Sequence, residues 1–364
     1  MTRGRSPSLL SLLRAASQGR RDLGGEIFDA GQIRWAIQTG LGPLLYHTTH
    51  ADSAMASLPV WSLLRSADLL ARLLMGEQLD AMGEILEACD GVVPPVTLLK
   101  GISICTQYYP APHLRPMRDI DLWVDEDVLP VVESLLVKRG YLQPSHLPVE
   151  FYRTHHHTMP YYHPQRGVWV EVHRRLVSTR RPIGADELFG LDHLRAELRP
   201  SNFQGRAVRR LSDELQVVYT ASHWARQFQV VGGLIPLLDM IYLLQHAGPS
   251  LHWDRILDWV RASAAGMHLY LMLSYLHTHR LIDLPCEVLR RLFDQQPACG
   301  RLNAILLHSL IDRYLAHGKP FRSVLSQRNL QILWQTLLLP GPPLRNLILT
   351  PWNICVPSRL RLRA

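Results

Sequence analysis

Apolar positions recur at helical spacing over residues 60–90. Leu63, Leu64, Ala67, Leu70, Ala71, Leu74, Leu79, Met82, Ile85 and Leu86 predict one long amphipathic helix, ended by Gly91. Before it, residues 1–58 read as loosely organised helices, with an apolar stripe through Ile33, Trp35, Ile37, Leu41 and Leu44 broken at Gly40, Gly42 and Pro43. The period then changes. Residues 95–101 read as a buried strand ending at Gly101, and residues 102–109 as a short helix stopped by Pro110. In the run 119–124 Ile120, Leu122 and Val124 alternate with Asp119, Asp121 and Trp123, the period of a strand. Asp125 is expected to cap a helix over 126–139, with Gly140 after its end. Residues 158–163 and 168–173 predict two strands joined by the glycine-containing loop 164–167. From about 185 the chain reads helical as far as about 340, with few strand signals. The segment 341–364, with Pro342, Pro343, Pro351 and Pro357 and an arginine-rich end, reads as a draped tail. The order of elements predicts an α+β fold, a small mixed sheet flanked by N-terminal helices and a large helical C-terminal domain. The expected boundaries are 1–90, 91–180, 181–340 and 341–364.

The chain has 364 residues, enough for two ordinary domains, and at 47 % apolar it can bury a substantial core. Its formal charge of +8 fits an anionic ligand such as a nucleotide, RNA or an acidic protein, or else an arginine-rich background. Cys89, Cys105, Cys286, Cys299 and Cys355 form no Cys-x-x-Cys pair, so neither a zinc ribbon nor a disulfide framework is expected. The basic N-terminus is too briefly apolar for a signal sequence, and no run reaches the roughly 18 apolar residues of a membrane span. A soluble, cytoplasmic protein is expected.

The chemistry concentrates in three stretches. Asp119 and Asp121 share one face of their strand, and so do Trp169, Glu171 and His173 of theirs. Side-by-side carboxylates repel unless neutralised, and a hard cation such as Mg²⁺ takes such oxygens together with phosphates. If the two strands are neighbours, Glu171 joins the aspartate pair within reach of Lys100, Arg115 and Arg118. Cations, metal and carboxylate base in one cleft suit phosphoryl-group chemistry.

These residues resemble a family. Lys100-Gly101, then Arg115-x-x-Arg118-Asp119-Ile-Asp121-Leu-x-Val124, then Gly140-Tyr141, then Glu171-Val-His173, look like the uncharacterised bacterial nucleotidyltransferases of the polymerase-beta-like superfamily. The resemblance implies transfer of a nucleoside monophosphate from an NTP, with Mg²⁺ or Mn²⁺, to an acceptor that is a small molecule, a protein or an RNA. It implies Asp119, Asp121 and Glu171 as catalytic metal ligands, and Gly101 as the turn after the first strand. The broader superfamily has Gly-Ser at that turn. Here Lys100-Gly101 stands instead, with Ser103 two residues on. Lys100, Gly101, Ser103, Arg115, Arg118, His157 and His173 are the expected nucleotide contacts.

Two other readings stay open: a catalytically inactive binding module of the same fold, and a kinase-like enzyme moving the γ-phosphoryl group. The run His155-His156-His157 invites a zinc site, but neighbours on a strand point to opposite faces, so the three are not expected to face one ion. His223 and Trp224 read as core or interface, and Asp239 as either a cleft residue or a buried hydrogen-bonded one. The acceptor, the choice of NTP and the oligomeric state have no readable motif.

Overall fold

A computed structural model describes residues 8–20, 23, 28–50, 53–144, 149–153, 155–178, 187–226, 233–261, 263–295 and 301–316. The expected tail, 341–364, lies outside them. The N-terminal helices are α1 (Leu9–Ser17), α2 (Ala30–Gln38), α3 (Gly42–Thr49) and α4 (Ser53–Ala56), followed by the long α5 (Trp61–Cys89). Next come β1 (Thr97–Leu99), α6 (Lys100–Gln107), β2 (Asp119–Trp123), α7 (Leu129–Lys138), α8 (Val149–Arg153), β3 (Tyr161–His163) and β4 (Val168–His173). After α9 (Leu191–Ala196), β5 (Leu198–Phe203) and β6 (Arg206–Leu211) form a hairpin. Beyond β6 the regular elements among the described residues are helices, including α10 (Asp213–Arg226), α11 (Ile235–Ala247), α12 (Trp253–Trp259), α13 (Ala264–Thr278), α14 (Cys286–Gln295) and α15 (Arg301–Leu310).

The strands form one six-stranded mixed sheet in the order β3-β4-β2-β1-β6-β5. The helical reading from 185 onward is therefore corrected at β5 and β6. Arg206-Ala-Val-Arg-Arg-Leu carries too little alternation to announce a strand, but β6 lies parallel to β1, and Arg209 N donates to Val96 O at 2.8 Å. Edge pairing to an existing sheet supplies what the local pattern lacks.

Two hydrophobic cores meet at this sheet. On one face Leu98, Ile120, Leu122, Val168, Val170 and Val172 pack on Ala81, Met82, Ile85 and Leu86 of α5 and on Val132 and Leu136 of α7. On the other face Leu99 and Trp123 join the core of the N- and C-terminal helices. The second face is thus covered, and Trp123 is fully buried.

The described residues between 8 and 50 are more tightly held than a loose helical lead. Leu12, Leu13, Phe28, Ile33 and Leu45 are fully buried in that second core. Gln245 of α11 donates to the carbonyls of Ala16 and Ser17, and Arg14 to that of His279. Conversely, the first half of α5 leaves Leu63, Leu70 and Leu74 about half exposed, so the apolar stripe overstates its burial. The helix expected from 126 starts at Leu129. Asp125 contributes its carbonyl to that start, while its carboxylate accepts from Arg195 at 2.9 Å.

Candidate active site

β2 and β4 run parallel as neighbours, with Asp121 opposite Glu171 and Asp119 opposite Trp169. On the other side of β2, Leu99 of β1 stands opposite Asp121, so the chain leaves β1 at Lys100 directly beside both carboxylates. This face borders a cavity of about 610 Å³. Lys100, Gly101, Arg118, Asp119, Asp121 and Glu171 line it from the sheet side, and Gln216, Tyr219, Thr220, Ile235 and Asp239 from α10 and α11. That volume is in the range of ordinary ligand pockets.

Asp121 is the most tightly held group. Its Oδ1 accepts from Lys100 Nζ and from His173 Nε2, both at 2.7 Å. Burial alone would raise the Asp121 carboxyl, but Lys100 and His173 hold it well below the usual carboxylate range. Lys100 is held charged in turn: against the burial that would lower it, Asp121 raises it, with Glu171 at 4.0 Å adding to the effect. His173 is fully buried behind Asp121, with Nε2 3.7 Å from Glu171 Oε2. Burial and Lys100 oppose its charge, and the two carboxylates prevail and raise it. Glu171 is lowered: burial would raise it, but His173 and His157 draw it down.

Asp119 behaves oppositely. Burial, then Asp121, then Glu171 push its carboxyl up to about 7. Among the described residues it has no ion-pair partner.

The turn at Lys100-Gly101 differs from expectation. The residue in the left-handed region is Lys100, with φ 45°. Gly101 is needed for closeness instead, since a Cβ there would lie 2.5 Å from Arg115 Nη1 and 2.9 Å from Met117 Sδ.

The other expected nucleotide contacts divide. Arg118 is exposed at the cavity and has no ion pair among the described residues. His157 lines the cavity, its Nε2 3.6 Å from Glu171 Oε2. Ser103 is turned into the protein, 1 % exposed, and its hydroxyl accepts from Gln107 Nε2. Its expected phosphate contact is corrected on that ground: position 103 falls on the inner face of α6. His173 is likewise withdrawn from the cavity and touches carboxylates. Arg115 borders the cavity but is already paired: Nε and Nη2 donate to Asp239 at 3.1 and 2.9 Å, and Tyr109 Oη donates to the same carboxylate at 2.7 Å.

Asp239 thus answers to both readings: it lines the cavity, and it is buried and hydrogen-bonded, tying α11 to the loop before β2. Removing one partner of such a pair costs roughly 3–5 kcal/mol, whereas replacing both with apolar groups costs far less. Urea unfolding should show that loss for Arg115→Met, with much of it regained in Arg115→Met/Asp239→Leu. Losses below about 1 kcal/mol in Arg115→Met would reject the tether.

Sequence reasoning missed the wall supplied by α10. Gln216, Tyr219, Thr220, His223 and Trp224 all line the cavity. Their spacing of three and four marks one helix face, and the polar members Gln216 and Thr220 on a largely apolar helix were the available signal.

Among the described residues no helix is long and apolar enough to cross a membrane. No curated protein and no solved structure matches the chain. A family model described as uncharacterised nucleotidyltransferase matches residues 31–282, a span that holds the sheet, every carboxylate of the cavity and the α10–α11 wall. With that match over most of its length, the chain belongs to this nucleotidyltransferase family.

Proposed function

We propose that the cavity transfers a nucleoside monophosphate from an NTP to an acceptor hydroxyl, with help from a divalent cation. The observation that carries this reading is the meeting of Asp119, Asp121 and Glu171 from adjacent parallel strands on one cavity beside Lys100 and Arg118. The donor set fits a hard cation. All three are carboxylates, and Asp119, raised by burial and by the two others, is a group whose charge a cation would relieve. Asp119, Asp121 and Glu171 would hold the ion. When bound, it supplies charge neutralisation at the phosphates and at the attacking oxygen.

The chain's own residues do the rest. Arg118, exposed at the cavity and without an ion pair among the described residues, is placed to meet triphosphate oxygens. Asp119 would give up its proton on holding the ion, and Glu171, at the cavity, is the carboxylate placed to take the proton of the acceptor hydroxyl. The acceptor oxygen forms a bond to the α-phosphorus, the bond from that phosphorus to the β-phosphate bridge breaks, and pyrophosphate leaves. Lys100 and His173 fix Asp121 in place. The helix wall of Gln216, Tyr219 and Thr220 borders the space left for the acceptor or the base.

One observation favours the binding-module reading. Lys100 and His173 both already occupy Oδ1 of Asp121. The test is label transfer with NTPs labelled separately at the α and γ phosphates, Mg²⁺ or Mn²⁺, and cell extract as acceptor pool. Label from the α position, lost in Asp119→Asn, is the expected result. Label from γ alone would replace the reading with a kinase. Nucleotide binding by folded protein with no transfer from any NTP would replace it with a binding module.

A further inference from the structure

The three consecutive histidines do not alternate as neighbours on a strand would. Residues 155 and 156 lie in a bend, and His157 makes only an isolated bridge to His173. The His156 carbonyl accepts from both Arg174 N and Arg175 N, and Thr158 N donates to the Val172 carbonyl, which bends the segment around the end of β4. One ring nitrogen from each of His155, His156 and His157 falls within 4.8 Å of the others. The ring centroids are 4.1, 4.2 and 4.7 Å apart, and all three residues line the cavity.

We propose that His155, His156 and His157 bind a divalent cation of the imidazole-preferring kind, Zn²⁺ or a similar ion, next to the hard-cation site of Asp119, Asp121 and Glu171, with Glu171 lying between the two positions.

Three observations carry it. First, His157 Nδ1 lies 2.7 Å from the Thr158 carbonyl. A carbonyl only accepts, so Nδ1 carries the proton and Nε2 keeps its lone pair. A backbone carbonyl on one nitrogen, with the other turned to the ion, is how proteins commonly orient a metal-binding imidazole. Second, that Nε2 points to Glu171, with 3.6 Å to Oε2, too long for a hydrogen bond and open for a shared ion. Third, His156 Nδ1 is buried with no hydrogen-bond partner among the described residues. Such an atom costs free energy unless something satisfies it.

The geometry is nearly closed. Ligands about 2.05 Å from a tetrahedral zinc stand about 3.3 Å apart, so the nitrogens must approach by at most about 1.5 Å. The bend at residues 155–156, outside any regular element, can supply that movement. The donors differ in kind from the carboxylate site: imidazole suits Zn²⁺ and its neighbours, whereas oxygens suit Mg²⁺. His155, His156, His157 and Glu171 all line the cavity, so an ion there stands where it can meet an anionic group of a bound substrate. The proposal does not rest on nucleotidyl transfer, and its test does not read activity.

The test is Co²⁺ titration of the full chain after chelator treatment, followed by visible absorption. The expected result is one equivalent with nitrogen-rich, low-coordinate bands, displaced by Zn²⁺ and insensitive to excess Mg²⁺. Affinity should fall at least about 100-fold in His155→Ala/His156→Ala, beyond the 10–100-fold typical of losing an outer-shell partner. His155→Ala alone, at the less buried end of the cluster, gives the same direction if the double variant does not fold. Asp119→Asn should keep the bands. His47→Ala/His50→Ala, which removes a separate pair at the end of α3, controls for surface histidines. No Co²⁺ bands with folded protein, unchanged affinity in His155→Ala, or bands lost with His47 and His50 would each overturn the proposal.

Discussion

Asp119→Asn is expected to lower α-label transfer by roughly 10³-fold or more. Cation-assisted charge stabilisation is worth several kcal/mol, and each 1.36 kcal/mol is a factor of ten. The substitution keeps shape and removes a carboxylate that lines the cavity with no ion-pair partner among the described residues. It should also change how stability depends on pH. The folded Asp119 carboxyl titrates at about 7, while an unfolded aspartate titrates at about 3.9. Between those values the folded chain holds a proton that the unfolded chain has released. Stability of the metal-free protein therefore falls as pH rises from about 4 through about 7. Melting temperatures across that window should lose this slope in Asp119→Asn. Saturating Mg²⁺ should reduce it in the parent protein. Transfer within tenfold of the parent, or an unchanged slope, would remove Asp119 from the site.

Lys100→Met is the second large effect. It strips Asp121, 2 % exposed on its side chain, of one of its two donors and leaves His173 alone. Breaking a buried pair in this way costs roughly 3–5 kcal/mol. Lys100 is held charged by Asp121 against its own burial, so this contribution does not titrate near neutrality. The expected result is a lower melting temperature without metal, tighter Mg²⁺ binding, and partial recovery at saturating Mg²⁺. Ligand at 100 times its dissociation constant returns about 2.7 kcal/mol. A variant as stable as the parent and with unchanged Mg²⁺ affinity would show that Lys100 does not balance the carboxylates.

The strands that bear the chemistry were legible because their signal is local. Alternation over Asp119–Trp123 and Val168–His173 assigns each side chain a face, and those two strands occur where the pattern puts them. The long helix was legible for the same reason and runs from Trp61 to Cys89. The carboxylates, Lys100 and Arg118 could be named from spacing, and the family resemblance rested on the same residues.

What local pattern could not decide depends on contacts far apart in the chain. Hairpin β5–β6 joins the sheet through pairing with β1, more than a hundred residues away. Arg115 looks like a phosphate ligand until Asp239, 124 positions on, takes its guanidinium. Asp119 and Asp121 share a face and burial raises both, but Lys100 from the end of β1 and His173 from β4 reach only Asp121 Oδ1, and those partners separate a lowered Asp121 from a raised Asp119. The histidines converge only because the end of β4 bends their backbone. Sequence thus determined which groups carry charge and which face of an element they occupy. Tertiary packing decided how much water and which partner each group has, and desolvation and partner distance are what set its chemistry.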